Sequence, residues 1–552
     1  MNTALRRSWP ARAGMPVLTS STKVRPAGLL LKTVFSGPSW CFVFATACGI
    51  GLAPLIATAA NADPASVEIG IASVDITPEL PIWLAGYAAR TRPADKLDHP
   101  LALTALALRN PSGDTCVLIA VDNCEVNAQF AAPALKKIKD NHGLNPERII
   151  IVSSHSHSAP VLEGALDGMY PLSPADLEQV KTYGEKVRSL IVQTVGAALG
   201  NLAPARIEYG VGRCTFAMNR RAFTSKDVII GENPDGPVDW DVPVLRISDT
   251  NGTVRAIVFG YACHATTVHG DDFYTVTPDF PGYARTHIET VYPGAHAVFL
   301  TGMGADCNPS PRGSLILSKR HGLELAGAVV GVLSRPMRNV TAPIEFAYAE
   351  AELPLEDPPP REKIEQDAQS QDQYVRNRAL RYLGILANGG APPRIKLPIS
   401  VLRFQNKLAL VFMGGEVVVD YARRIKRVFA EDNPWPVGYA YDVPCYIPTA
   451  RIVKEGGYEA DSSMIYYGLY GPFKPAVEQT VFDTLTQLMN STRNGNRRAS
   501  NRRIHSTHRS NKAKLVGTGP TNVHLDHVGN SHSVSGHTTE QSKPCLQAQV
   551  TD

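Results

Sequence analysis

The stretch Ser153-Ser154-His155-Ser156-His157-Ser158-Ala159-Pro160 sets two histidines among four serines. It follows a continuous apolar run, Ile149-Ile150-Ile151-Val152, which predicts a strand buried on both faces. Open α/β folds gather ligands at the carboxyl ends of such strands. In an extended chain His155 and His157 fall on one side and Ser156 on the other. Two imidazoles so placed can share a metal ion, or one can bind metal while the other polarises a carbonyl. An isolated His-x-His is read equally well as a pair of exposed loop histidines, so segments elsewhere must decide.

Four further segments repeat the pattern of an apolar strand that ends in polar groups. Val258-Phe259-Gly260-Tyr261-Ala262-Cys263-His264 puts His264 at a strand end. Val298-Phe299-Leu300-Thr301 runs into a glycine-rich turn through Asp306, Cys307, Asn308 and Pro309. Leu408 to Met413 leads to Gly414-Gly415-Glu416, with a helix expected through Arg423 and Arg424. Tyr441 to Thr449, containing Tyr446, precedes Gly456-Gly457-Tyr458-Glu459. Together these offer two or three imidazoles and one carboxylate, a nitrogen and oxygen set suited to zinc. Zinc with an open position lowers the pKa of its water and polarises a carbonyl.

The elements that must position these groups read as a mixture. Strands are predicted from Glu68 toward the proline turn at Pro78, and at Leu103–Leu108 and Cys116–Val121, the last two joined by the turn Asn110-Pro111-Ser112-Gly113-Asp114. Helical spacing covers Ala131–Lys139 and Pro174–Leu199. A hairpin joins Val242–Ile247 to Val254–Phe259. The class expected is α/β: mixed sheet layers with flanking helices and a metal site at strand ends.

The chain has 552 residues, 44% hydrophobic and 19% charged, enough for an ample core in one large domain or two. Its net charge of +4 gives no case for nucleic-acid binding. Residues 1–62 read as a leader: scattered Arg and Lys, an apolar run from Trp40, then Ala60-Asn61-Ala62 before Asp63. A secretory signal cut after Ala62 is expected, and with it a secreted or periplasmic, cell-envelope location; an uncleaved anchor is the alternative. The folded domain is expected over 63–489. Within it, 354–393 reads as an inserted helical segment, a surface excursion or a lid. Residues 490–552 lose large apolar side chains and are expected to be a disordered polar, basic tail, or a contact for anionic envelope or lipid headgroups. The nine cysteines include no C-x-x-C pair, which argues against a cysteine-only zinc site.

These motifs resemble a family. Ile69-Gly70-Ile71-Ala72-Ser73-Val74-Asp75-Ile76-Thr77-Pro78 looks like the opening strand of the neutral (non-lysosomal) ceramidases, and Ser154-His155-Ser156-His157-Ser158-Ala159-Pro160 looks like their T-H-T-H-S-G-P motif. These are zinc amidases that split the N-acyl bond of ceramide into sphingosine and fatty acid, and the resemblance spans roughly Ile69 to Pro472. It implies that His155, His264, Glu416 and Tyr446 hold one Zn2+. It implies too that His157 lies beside the scissile carbonyl, with Arg220 and Tyr458 in the active site. The two tyrosines stand twelve residues apart, as in the family.

Three departures accompany the resemblance. The family's G-D-x-S-P-N segment is Ala305-Asp306-Cys307-Asn308-Pro309 here, so Asn308 stands where the proposed nucleophilic serine belongs. An amide cannot form the acyl-enzyme of a serine, yet it can donate to an oxyanion. The polar tail is expected in place of the immunoglobulin-like C-terminal domain, and the 354–393 segment is expected to reshape the substrate entrance. The expected function is hydrolysis of the N-acyl amide of ceramide, or a ceramide-like lipid, by water activated on zinc. His157, Arg220 and Tyr458 would stabilise the oxyanion, with Asn308 as a fourth donor. The substrate partner is a lipid amide, met with or without peripheral contact to a membrane or envelope. The alternatives are a hydrolase of the same fold acting on another amide or ester, and a catalytically silent, metal-containing binding protein.

Overall fold

The computed structural model describes residues 67–493 apart from Asp167, residues 389–393 and Asn406. The expected leader and the tail beyond 493 lie outside the described residues.

Side-chain alternation sorts the apolar strands into layers. Every residue of the strand Ile149–Ser153 is buried. Ile149 and Ile151 pack with the helices Ala128–His142 and Pro174–Gly200, while Ile150 and Val152 pack on the opposite face. A strand covered on both faces needs the unbroken apolar run read in the sequence. It belongs to a nine-stranded sheet in the order His296–Thr301, Val254–Tyr261, Asp241–Ser248, Ala203–Arg213, Val67–Asp75, Ala102–Arg109, Thr115–Val121, Ile149–Ser153, with Arg338–Val340 paired to Ala203–Arg213. Pairing is parallel only at the two ends of that order and where it serves the site: Val254–Tyr261 with His296–Thr301, and Thr115–Val121 with Ile149–Ser153.

A four-stranded sheet, Ile344–Leu353, Ile395–Phe404, Leu408–Met413 and Pro434–Val437, packs face to face on the first. Leu402, Phe404, Leu410, Phe412 and Trp435 meet Leu106, Leu118, Ile150, Val258 and Val298 there. The helices Asp279–Val291 and Leu315–Leu333 cover the rest of the large sheet's outer face. The helix Val419–Val428 and the helix over 477–493 cover the small sheet. The layers are therefore helix, sheet, sheet, helix, in agreement with the mixed α/β expectation.

The large sheet curls until its edge strands touch. Thr301 Oγ1 donates to the carbonyl of Ser153 at 2.7 Å. Backbone bonds from Ser153 N to Tyr439 O (3.3 Å) and from Gly438 N to Thr301 O (3.0 Å) bring the end of the small sheet to the same point. Carboxyl ends of strands far apart in sequence thus converge.

Two boundaries differ from expectation. The last helix runs past 489 to 493, because buried Arg403 needs it: its Nε donates to Thr492 Oγ1 at 3.0 Å, and Arg493 pairs with Asp432 beside it. The 354–393 segment contains two helices, Arg361–Asp367 and Gln373–Ala387, rather than one stretch. They lie against site loops: Tyr374 Oη donates to Ala88 O (3.1 Å) and Asn377 Nδ2 to Gly168 O (3.1 Å). Among the described residues no helix is long and apolar enough to cross a membrane. The cysteines from Cys116 to Cys445 are all buried free thiols.

Candidate metal centre

His155 does not continue the strand. Its φ is +58°, a left-handed conformation costing a non-glycine residue on the order of 1 kcal/mol. The expected side choice survives by this other route. His155 Nε2 lies 3.0 Å from His157 Nε2, while the Ser156 hydroxyl donates elsewhere, to Thr277 O at 2.9 Å. The His155 ring is pinned by its Nδ1–H, which donates to Cys124 O at 2.7 Å. Nε2 is left with a bare lone pair. His264 repeats the device: its backbone N–H donates to Cys307 O at 3.0 Å and its Nδ1 faces Gly304 O at 3.4 Å. Gly304 is required there, since a Cβ would sit 2.5 Å from the Ala262 carbonyl. Glu416 opens a two-residue strand, Glu416–Val417, that pairs in parallel with Tyr446–Ile447 and sets Glu416 directly opposite Tyr446.

Glu416 Oε2 lies 3.1 Å from the Nε2 atoms of both His155 and His264, and the three ligand atoms fall within 4.8 Å of one another. Burial, reinforced by Arg220 and His155, lowers the His264 pKa to about 3, so that ring is neutral. Three buried acceptors therefore aim lone pairs at one point. That arrangement is repulsive without a cation between them and fits one well. Tyr446 Oη stands 3.3 Å from His264 Nε2 and accepts from Arg220 Nη2 at 3.0 Å. Burial pushes its pKa up while Arg220 opposes the rise. Tyr439 and Tyr467 donate to Glu416 Oε2 (3.4 Å) and Oε1 (2.5 Å), orienting the carboxylate.

The remaining groups line one side of this centre. Arg220 Nε donates to Glu459 Oε1 and Arg221 Nη1 to Glu459 Oε2, both at 2.8 Å. Arg220 Nη1 reaches Asn308 Oδ1 at 3.4 Å, and Thr266 Oγ1 donates to the same oxygen at 3.3 Å. Both donors use Oδ1, which leaves the Asn308 Nδ2–H as the group it can offer a ligand. Asn308 is carried by the strand Cys307–Pro309, in antiparallel register with Ala217–Phe223, which carries Arg220. The Tyr458 ring packs 5.4 Å from Tyr446 and 5.6 Å from the Arg220 guanidinium. His157 is kept well below its ordinary pKa by burial first, then by His155 and His264. Its Nδ1 finds no partner among the described residues. Gly86, at φ +90°, makes room for that ring, because a Cβ would lie 2.3 Å from Nδ1.

All eight residues singled out in the sequence meet here: His155, His264, Glu416 and Tyr446 around one point, and His157, Arg220, Tyr458 and Asn308 beside it. Tyr439, Tyr467, Glu459, Tyr87 and the carbonyl of Cys124 were not anticipated as parts of the site. Glu459, next to Tyr458, was the only one within a segment already noted.

Residues 67–306 match the family described as neutral/alkaline non-lysosomal ceramidase, N-terminal. Neutral ceramidase B of Dictyostelium discoideum is 24% identical over 233 residues, 40% of this chain and 31% of that protein. Neutral ceramidase A of the same organism is 22% identical over 236 residues, 40% of this chain and 32% of its own length. The chain thus matches about a third of the length of these relatives. Among solved structures, neutral ceramidase from Pseudomonas aeruginosa superposes with a TM-score of 0.58 at 18% identity, covering 76% of this chain and 73% of that one. A ceramidase complexed with C2 gives 0.56 at 18% identity, covering 76% and 74%. These two share the fold. Over residues 67–306, the span that supplies His155, His157, Arg220 and His264, the chain resembles the neutral/alkaline non-lysosomal ceramidases.

Proposed function

We propose that this protein is a zinc-dependent hydrolase of the neutral ceramidase type, cleaving the N-acyl amide of ceramide or a ceramide-like lipid to a free amine and a fatty acid. The observation that carries the reading is the convergence of His155 Nε2, His264 Nε2 and Glu416 Oε2, acceptors all, on one buried point. Tyr446 would complete a set of four ligands. When bound, zinc would polarise the substrate carbonyl and lower the pKa of water.

The chain's own groups do the rest. Cys124 O holds the Nδ1 of His155, and burial keeps His264 neutral, so both rings turn Nε2 toward the centre. Glu459 holds the Arg220 guanidinium against Tyr446 and Asn308. Arg220, Tyr458, His157 and Asn308 Nδ2 supply donors for the oxygen that gains charge as the amide is attacked. Asn308 offers no nucleophilic oxygen, so attack by water requires no acyl-enzyme. Secretion and contact with a lipid surface belong to this proposal as its natural setting.

The replacement of serine by Asn308 also supports a second reading, a silent binding protein that keeps the metal. Turnover separates the two. The zinc-loaded protein should release amine from a short-chain ceramide, lose that activity to a chelator, and regain it with zinc. Stoichiometric zinc without release from any acyl amide or ester would favour the silent protein.

A further inference from the structure

Arg220 and Arg221 are matched by carboxylates: both meet Glu459, and Arg221 also meets Glu455. Two other arginines flank the His157 side of the centre without such partners. Arg90 is 1% exposed, yet its Nη atoms donate only to carbonyls, those of Ala85 (2.5 Å) and Phe273 (3.2 Å). Its Nε has no partner among the described residues. Its guanidinium lies 5.0 Å from the Tyr87 ring centre and 4.6 Å from that of Phe273. Tyr87 in turn packs edge-on 4.7 Å from His157 and shares a 2.8 Å hydrogen bond with His269 Nε2. Burial, then Arg312 and Arg90, lowers the His269 pKa to about 4.

Arg312 stands at the rim of this wall. It is exposed, and its Nη1 donates to Thr266 Oγ1 at 3.5 Å, the hydroxyl that donates onward to Asn308. Among the described residues it forms no ion pair. Asp279 lies within electrostatic reach of Tyr87, but Thr267 N, Phe280 N and Ser318 Oγ, all within 2.7 Å, occupy its carboxylate. An unmatched buried guanidinium behind an aromatic wall projects positive potential through a low dielectric. A second guanidinium, exposed and one hydroxyl removed from Asn308, presents a fork that fits two carboxylate oxygens.

We propose that this wall receives an anion: the substrate is an acyl amide that carries a carboxylate within a few bonds of the scissile bond, bound by Arg312 with Arg90 reinforcing it from behind. This rests on the amide-hydrolase reading but departs from ceramide itself, which carries no carboxylate: a neutral sphingoid amide would leave Arg312 unmatched.

The test uses the full-length, zinc-loaded protein and three amides of equal chain length: N-lauroylglycine, with its carboxylate on the amine half; N-dodecylsuccinamate, with its carboxylate on the acyl half; and neutral N-lauroylethanolamine. One of the two carboxylates should exceed the neutral amide in kcat/KM by about 10- to 100-fold, expressed mainly in KM. Which one does so locates the anion. Arg312→Gln should bring that ratio close to one, and Arg312→Lys should restore part of it. A neutral amide cut as well as either carboxylate, or a preference that survives Arg312→Gln, would overturn the proposal. If none is cut, the hydrolase reading is decided by the ceramide assay alone. Calorimetric Kd values for the same three compounds, with wild type and Arg312→Gln, then decide the anion claim. Binding no tighter for the carboxylates, or unaffected by the substitution, would end it.

Discussion

His155 and His264 hang from the main chain, whereas Arg220 and Asn308 are held by side chains. The histidines take their orientation from the carbonyls of Cys124 and Gly304, on loops anchored in the large sheet. The other half depends on a chain of side chains: Glu459 to Arg220, Arg220 to Asn308, Thr266 to Asn308. Backbone carbonyls cannot change rotamer or protonation state, so the metal-facing half is set when the sheets close. The substrate-facing half rests on a single carboxylate, Glu459, shared by two buried guanidiniums. The two halves should therefore fail separately.

The largest effect expected is on the metal half. His264→Ala removes one of three converging acceptors. Zinc content and turnover should both fall by more than the roughly 10–100-fold that loss of an outer-shell partner costs. Full zinc stoichiometry in that variant would show that the centre lies elsewhere. Next is Glu459→Gln, which leaves Arg220 and Arg221 buried without their shared charge. Unfolding free energy should drop by about 3–5 kcal/mol, read as a lower denaturation midpoint. Zinc should stay bound while kcat/KM falls. Loss of zinc in this variant would mean that the halves are not independent.

Asn308→Ala is milder. It removes one donor from the substrate side, so turnover should slow by no more than about 10²–10³-fold, with zinc retained. No burst of amine should precede the steady state, in the parent or the variant. A burst, or an acylated Ser310 caught by mass spectrometry, would point to a protein nucleophile. The smallest effect concerns the end of the last helix. A chain ending at Asn490 lacks Thr492 and Arg493, and should lose about 1–2 kcal/mol as Arg403 and Asp432 give up partners. A chain ending at Arg493 should keep its thermal midpoint. Equal midpoints would show that these contacts add nothing.

The strands were legible because burial on two faces leaves a plain mark, an apolar run that stops at polar groups, as at Ile149–Ser153 and Leu408–Met413. The site residues at those stops were legible for the same reason, aided by the family's motifs. What supports them was not. Tyr439 packs on His155 from a left-handed backbone position (φ +54°) that no residue-type preference announces for tyrosine. Tyr467 reaches Glu416 from a loop without periodicity. His155 and His157 do face one way, but through a backbone turn rather than the extended alternation the spacing suggests. That the fold continues past 489 was not legible because Thr492 and Arg493 are polar, and their contacts are with Arg403 and Asp432, distant in sequence.

The proposed zinc ion belongs at the point where His155, His264 and Glu416 converge, with Tyr446 as the fourth ligand. Anomalous diffraction at the zinc edge, from crystals of the zinc-loaded protein, tests it directly. One peak should appear at about 2.0–2.2 Å from His155 Nε2, His264 Nε2 and Glu416 Oε2, with Tyr446 Oη at similar range. A peak centred on Cys124, His155 and His157, the other cluster of buried ligand groups, or no peak in zinc-saturated crystals, would contradict it.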